Sequence, residues 1–555
     1  MREKVDIREI LLLLSLAAIG LLLRYDFLSA SHFVLDSDEA IVGLMAKHIL
    51  EGAPVPVFYY GQHYMGSFEP LLVAGMFKLV GIGNLGLKAV PLLFSLSLIL
   101  VIYFLAREIG GRLTARLAAL FTAIPPAPLV VWSGKARGGF IEVVVIGAVA
   151  TLQCCYWLKK PELFRTFLIG FLLGFGWWTN NQIVFFMGPI GFFMLATILT
   201  KRDTFLRNCV SAVYHFTAGT AAFILGGLPF WLYNWKHDFV SFGIFGAAER
   251  GNALEQFYGV ITTALPILLG AKRFWENDEF FPGAALLYSL IFGGMLLLLL
   301  LLRRREIASL IVLKIDKERP VELLLLLLVS CCAVFSLSSF GWLNQAPRYL
   351  LPAYIAIFTL AAWVIARTAR PAPLVAIAAT LLILAGNLSS SYLYGRSIPG
   401  EPFVYKRERV SRDHGALLEW LQRRNITLVR TNYWIGYRLA FESKENVKFI
   451  VFQEPRQVRI KDYEQLADSS QIDLVPLVLV PSQAALVSEA LSELGYSFRV
   501  EDLSGYKVIY SISYPEKPSR KVLPSEVEVT SNPDGFTPIA GFDGDLATRW
   551  GSKGA

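Results

Sequence analysis

Charge is sparse in this chain: Asp, Glu, Lys and Arg together make up 17% of its 555 residues, against about 25% in a soluble globular chain. Cysteine is scarcer still. The five cysteines, Cys154, Cys155, Cys209, Cys331 and Cys332, fall in or beside apolar runs, with no metal-ligand spacing and none in the polar C-terminal part. They read as small hydrophobes, which leaves no disulfide framework. The polar C-terminal part also lacks a GxGxxG turn, a P-loop and a Ser-His-Asp set, so no independent active site is expected there. No small-residue cleavage site follows the first apolar segment, Ile10–Leu23. It is expected to remain as a span rather than to be removed as a signal.

Apolar sequence is present in excess. Hydrophobic residues reach 55% and the mean hydropathy is +0.51. Runs such as "LLFSLSLILVIYFLA" (92–106) and "MLLLLLLL" (295–302) approach the roughly 20 residues that cross a bilayer. The pattern predicts a polytopic α-helical membrane protein with spans near 9–24, 86–106, 113–132, 141–158, 163–178, 183–200, 210–232, 283–302, 321–340, 349–367 and 372–390, about eleven in all. The stretch 69–81 is too short and too interrupted by Lys78 to span, and is expected to lie in the interface as an amphipathic helix, with 257–270 doing the same.

The basic residues orient these spans. With the N-terminus inside, the short cytoplasmic turns hold Arg107, Arg112 and Arg116; Lys159, Lys160 and Arg165; Lys201, Arg202 and Arg207; Arg303, Arg304 and Arg305; and Arg367 with Arg370. That is the positive-inside pattern. The formal charge of +8 therefore marks cytoplasmic loops, and no nucleic-acid partner is expected. The first loop, 25–85, and the turns at 133–140, 177–182, 233–282 and 341–348 fall on the extracytoplasmic side.

Three carboxylates, Asp36, Asp38 and Glu39, open that first loop in "LDSDEAIVGLMAKHILEG" (35–52). Asp36 and Glu39 have the spacing of a capping box that starts a helix running to about Leu50. Asp38 is left without a structural task. The loop continues as "PVPVFYYGQHYMGSFEP", ending in Glu69–Pro70; the next outer turn is "WSGKARGGFIE", with Lys135, Arg137 and Glu142; a later one is "GWLNQAPRYLLP", with Arg348 and Tyr349. Ionisable residues thus recur at one membrane level, where they usually face a cavity. The glycines flanking Lys135 and Arg137 let backbone approach a ligand, and a guanidinium matches phosphate oxygens.

These segments resemble the GT-C glycosyltransferases, and among them the bacterial members similar to protein O-mannosyltransferases and lipid A aminoarabinose transferases. The likeness spans roughly residues 1–390 and is strongest over 1–140. It implies transfer of a sugar from a polyprenyl-phosphate carrier to an acceptor glycan, lipid or protein on the non-cytoplasmic face of the cell (inner or plasma) membrane. The Asp38–Glu39 pair matches the family's acidic motif, which makes these the candidate catalytic residues, with Asp38 as general base on the acceptor hydroxyl. Glu69 falls where relatives have an acidic residue or lysine before prolines, and with His63, Tyr64 and Tyr349 it forms the candidate acceptor or loop site. This chain departs from the pattern in lacking a lysine after Glu69 and in carrying the extra Asp36. Asp36 and Asp38 together could hold a divalent cation, Mg²⁺ or Mn²⁺, as oxygen ligands; no other cofactor is expected.

The chemistry fits the residues apart from the name. A sugar leaving as its lipid phosphate needs cations for the developing charge, which Lys135, Arg137 and Arg348 could supply. The acceptor needs a base, and a single displacement would invert the anomeric centre. The rival reading is a multi-span transporter or flippase. Transporters often show paired repeats and broken helices near the midplane, and no such pair is visible here.

Residues 392–515 change character. Alternating helix and strand patterns predict a small extracytoplasmic α/β domain with a mixed or parallel sheet. Its Tyr433, Trp434 and Tyr437 could stack on sugars or form a core or domain interface. The segment 516–555 reads as a linker and a truncated stretch, "GFDGDLATRW", that resembles the opening of discoidin-like modules.

Overall fold

The structure is a computed structural model that describes residues 6–200, 205–247, 252–273, 278–393, 403–406, 408–452, 458–468 and 472–515. The discoidin-like segment lies outside the described residues. Among these, seven helices are long and apolar enough to cross a membrane: Ile7–Ala30, Asn84–Gly110, Phe140–Lys159, Asn181–Leu199, Leu206–Gly226, Ala284–Leu302 and Pro373–Tyr392. Leu163–Thr179, Ala253–Leu268, Val321–Leu337 and Ala353–Thr368 are shorter apolar helices. The chain is a multi-pass membrane protein, and many of its large apolar side chains, such as Leu22, Phe216, Leu290 and Leu381, face outward as lipid contact requires.

Two expected spans are not continuous helices. Residues 210–232 divide at Gly227 into Phe205–Gly226 and Leu228–Lys236, and the other break lies closer to the first loop. Residues 113–132 divide at Pro125–Pro126 into Arg112–Ala123 and Ala127–Trp132. Proline removes a donor and crowds the preceding turn, which frees carbonyls that a bilayer cannot satisfy. Side chains from distant helices take them up. Arg24 donates to the carbonyls of Thr122 (3.0 Å) and Ala123 (3.1 Å). Asn387 donates to that of Ile124 at 2.8 Å and Ser391 to that of Pro125 at 3.0 Å. The break is fully accommodated, and it delivers Trp132 and the Ser133–Gly139 turn to one end of the bundle.

The first loop folds against that turn. Its Ser37–Leu50 helix begins with the expected capping box: Asp36 accepts from the Glu39 N–H at 3.1 Å and the Asp36 N–H donates to Glu39 at 3.2 Å. The helix is not amphipathic in its surroundings. Every residue from Val34 to Lys47 is buried except Asp38, because the Phe68–Val80 helix covers one side and Tyr433–Glu442 of the C-terminal domain another. A helix buried all round needs no polar face.

The C-terminal domain carries a five-stranded mixed sheet. After the short pair β1 (Phe403–Tyr405) and β2 (Glu408–Arg409) come β3 (Leu428–Thr431), β4 (Lys448–Val451), β5 (Leu477–Leu479), β6 (Ser497–Leu503) and β7 (Tyr506–Ser513), in the order β4-β3-β5-β7-β6. β3 pairs parallel with β4 and β5; β7 runs antiparallel to β5 and β6. Helices Gly415–Arg423, Tyr433–Glu442 and Pro481–Glu493 make the connections. Docking on the membrane part uses apolar and polar contacts. Phe441 lies directly on Gly43, where any Cβ would collide with its ring, and stacks on Phe77 at 6.1 Å. Ser37 Oγ donates to the backbone carbonyls of Tyr433 (2.9 Å) and Trp434 (2.8 Å), while Glu445 accepts from Lys47 at 2.7 Å and faces His48 at 2.9 Å.

This packing makes Gly43 a test of the docking. Gly43→Val should destabilise the protein by about 1–3 kcal/mol, the usual range for overpacking. Limited proteolysis should release the C-terminal domain faster than from the wild type, while the membrane part stays folded in detergent. Unchanged proteolysis would show that Phe441 moves aside without cost.

Candidate active site

The site is a face-to-face meeting of the start of the Ser37–Leu50 helix with the Ser133–Gly139 turn. Asp36, 5% exposed, accepts from the Lys135 ammonium at 2.6 Å, and the Arg137 guanidinium stands 3.6 Å from its other oxygen. Burial opposes its ionisation, but Arg137 and Lys135 outweigh burial and hold its carboxyl well below the usual carboxylate range. Glu39 is fully buried. It pairs with Lys88 and accepts from the Ala136 N–H at 3.1 Å. Burial nonetheless raises its carboxyl above the ordinary value.

Asp38 differs from both. Its side chain is a quarter exposed and lines a cavity of about 50 Å³ together with Tyr59, Tyr64, Arg137, Arg348 and Tyr349. One carboxylate oxygen pairs with Arg137. The other accepts from the Tyr433 hydroxyl at 2.7 Å, and the Asp38 carbonyl accepts from Tyr59 at 2.8 Å. Tyr433 comes from the C-terminal domain, and burial pushes its phenol up to about 12, so it stays a donor at neutral pH. The sequence could flag Tyr433 only as one aromatic in a cluster of three. Its contact with Asp38 follows from docking across 395 residues of chain, for which no local signal exists. Tyr437, by contrast, belongs to the domain core.

The three candidate phosphate cations gather on one indole. Lys135, Arg137 and Arg348 lie 5.5, 5.5 and 5.6 Å from the Trp132 ring. Their partners separate them. Lys135 is committed to Asp36, Arg137 is shared between Asp36 and Asp38, and Arg348 makes no ion pair among the described residues, its buried Nε lacking any acceptor. Arg348 is thus the cation most available to an anion entering the cavity.

Glu69 and the glycines have a different relation from the expected one. Gly138 (φ +92°) and Gly139 (φ +80°) occupy the left-handed region, which other residues enter only with strain. Their N–H groups donate to Glu69 at 2.6 and 2.9 Å. They bind a carboxylate of the protein rather than bringing backbone to a ligand, and Glu69 is a brace beneath Arg137. Burial pushes the Glu69 carboxyl up to about 7 against the pull of these two N–H groups. His63 lies outside the cavity, stacked on Tyr233 at 5.7 Å with its Nδ1 3.2 Å from the Tyr233 hydroxyl. Tyr64 and Tyr349 both line the cavity; Glu39, Lys135 and Glu69 do not.

Nor do Asp36 and Asp38 fit a divalent cation. Asp36 is occupied by Lys135, Arg137 and a backbone N–H, and Asp38 by Arg137 and Tyr433. Cations and donors stand where Mg²⁺ or Mn²⁺ would bind, and hard divalent ions need oxygen ligands on those sides.

No protein-family model matches the sequence, and no curated protein matches it. Solved structures do. The fold is similar to that of ArnT from Cupriavidus metallidurans in the apo state, with a TM-score of 0.59 at 13% identity over 89% of this chain and 97% of that one. It is similar to the same protein bound to undecaprenyl phosphate, with a TM-score of 0.58 at 14% identity and the same coverage. The Archaeoglobus fulgidus oligosaccharyltransferase in complex with Zn and sulfate is also similar, with a TM-score of 0.53 at 13% identity over 90% of this chain and 73% of that one. These likenesses show a shared fold over about nine-tenths of this chain.

The raised Glu69 carboxyl makes a pH prediction. Its value near 7 lies above the ordinary 4.5. The stabilisation from its protonated form is complete below the ordinary value and is lost as pH rises through 7. Glu69→Gln keeps an oxygen for Gly138 and Gly139 but cannot ionise. In a thermal-unfolding series from roughly pH 5 to pH 8, the wild type should lose stability relative to this variant. Parallel curves would mean that Glu69 does not titrate there.

Proposed function

We propose that this protein is a membrane glycosyltransferase that moves a sugar from a polyprenyl-phosphate carrier to an acceptor hydroxyl on the non-cytoplasmic face, with inversion at the anomeric carbon. The observation that carries the reading is the quarter-exposed Asp38 carboxylate sharing one cavity with Arg137 and with Arg348, which makes no ion pair among the described residues. A base and an anion receptor within one small cavity are what a single displacement on a glycosyl phosphate requires. The complex of ArnT with undecaprenyl phosphate supports a lipid-phosphate donor, and the clusters of basic residues on the opposite turns support the side assignment. The C-terminal segment, from about residue 392 to 515, acts as a domain that closes over the site and contributes Tyr433.

In this mechanism the acceptor hydroxyl approaches Asp38, and its oxygen attacks the anomeric carbon. The hydroxyl proton passes to Asp38 as the bond from that carbon to the phosphate oxygen breaks. The lipid phosphate leaves with the electron pair and is received by Arg348. Arg137 can turn from Asp38 towards the same phosphate, which removes a positive charge from the base as it takes the proton. Tyr433 holds the second carboxylate oxygen and fixes the direction of the first.

Protein in nanodiscs, supplied with undecaprenyl-phosphate monosaccharides, should transfer the sugar or slowly release it to water. Movement of the lipid-linked sugar across the bilayer without bond cleavage would favour the transporter reading instead. Asp38→Asn should leave less than about a tenth of the turnover, since a general base contributes about 10²–10⁴-fold. Arg348→Ala should cost at least about tenfold in donor-dependent rate, as expected for a hydrogen bond to a charged group, and lysine should restore only part of it. Tyr433→Phe should lower kcat about tenfold with donor affinity unchanged, because the hydrogen bond it removes orients the base and not the lipid. Full activity in Tyr433→Phe would reduce its contact with Asp38 to a packing feature.

A further inference from the structure

The cavity at Asp38 is too small for the reaction proposed for it. About 50 Å³ is room for a few waters, each needing roughly 10–15 Å³, and so for a hydroxyl and a phosphate oxygen. A glycosyl group must lie elsewhere. Tyr64 and Tyr349 form a wall common to this cavity and a second one of about 410 Å³, within the range of small-molecule sites.

The second cavity has two kinds of wall. Phe185, Phe335 and Leu337, from the Val184–Leu199 and Val321–Leu337 helices, make an apolar side. The other side is the Trp177–Gln182 turn, several of whose polar groups are unused. Gln182 is 4% exposed, and neither its amide oxygen nor its amide nitrogen has a partner among the described residues; the Asn181 side-chain oxygen and the Trp177 indole N–H are likewise unpartnered. Buried polar groups are almost always satisfied, so several orphans on one cavity wall call for an explanation. The turn that presents them is rigid. Asn180 accepts from the Gln182 N–H at 3.1 Å and donates to the Gly138 carbonyl at 3.0 Å, beside Arg137, and Thr179 O accepts from the Gly66 N–H at 3.1 Å.

The missing partner can be specified chemically. The Gln182 amide offers one acceptor and a pair of donors, Asn181 adds an acceptor, and the indole adds a donor. An isoprenoid chain would leave all of them unsatisfied. An anion would meet no cation on this wall. A neutral ring bearing several hydroxyls, each able to donate and accept, fits both the amides and the aromatic faces of Trp177 and Tyr64. We propose that Gln182 and Asn181 bind hydroxyl groups of the glycosyl unit of the lipid-linked donor, and that this turn selects the sugar. The assignment rests on the glycosyltransferase reading. The donor rather than the acceptor is chosen because the same cavity continues along the apolar wall of two helices, where the carrier of a lipid-linked sugar can lie.

The test compares full-length wild type with Gln182→Leu and Asn181→Ala in nanodiscs. The probes are bare undecaprenyl phosphate and undecaprenyl phosphate bearing glucose, mannose, N-acetylglucosamine or 4-aminoarabinose. The wild type should bind one of the glycosylated lipids about tenfold or more tightly than the bare lipid, because leaving these amides unpaired is costly. Gln182→Leu should erase that preference while bare-lipid affinity stays within about twofold, which also reports that the variant is folded. Asn181→Ala should weaken the preference in the same direction. Equal loss for bare and glycosylated lipid, or an intact preference in both variants, overturns the assignment. So does a rise confined to the acceptor KM, which would make the cavity an acceptor site. A wild type that binds no bare undecaprenyl phosphate would defeat the glycosyltransferase reading itself, and this assignment with it.

Discussion

The buried pairing of Asp36 with Lys135 and Arg137 is the contact on which the site depends. It joins residues 99 positions apart and fixes the first-loop helix against the turn between two membrane helices. Charges removed from water on both sides are tolerable only when each is answered. Lys135 answers Asp36, Lys88 answers Glu39, and Arg137 is divided between Asp36 and Asp38. The array is therefore rigid as well as costly to dismantle. Of its three carboxylates Asp38 is the most exposed, and beside the array Arg348 makes no ion pair among the described residues and opens onto the same space.

Several features far from the cavity serve that geometry. The proline break at 125–126 sets where the Lys135–Arg137 turn begins, and Arg24, Asn387 and Ser391 make the break tolerable in a membrane. Glu69 holds the two glycines that carry the turn on towards the Phe140–Lys159 helix. The C-terminal domain completes the enclosure by seating Phe441 on Gly43 and Tyr433 on Asp38. In the proposed function this division has a purpose: a base must be held still while a cation nearby stays free to receive the leaving group. The large cavity behind Tyr64 and Tyr349 then accounts for what the small one cannot contain.

Features that depend on neighbours along the chain or on solvent preference were legible without the fold. Apolar runs of membrane length, the asymmetry of basic residues and the Asp36–Glu39 capping box needed no tertiary knowledge, because hydrophobicity and hydrogen bonding over one helical turn are local quantities. The α/β character of the C-terminal domain was legible for the same reason. The sequence set Asp38 apart because the capping box needs only Asp36 and Glu39, and in the structure it is the one residue between Val34 and Lys47 that is not buried.

Features that depend on which distant groups share a small volume appear only in the folded chain. Sequence placed Glu39, Lys135 and Glu69 with the reactive groups, whereas their partners Lys88, Asp36 and the Gly138–Gly139 amides turn them into supports. It could not separate Arg348 from Lys135, since a cation's availability is set by the anion beside it and not by its own identity. Tyr433 carried only the signal of one aromatic in a cluster of three, and Gln182 carried none. One acquires its meaning from a domain that docks across 395 residues, the other from a cavity whose walls come from separate helices. Burial and pairing are properties of three-dimensional neighbourhoods, and the chain's order does not contain them.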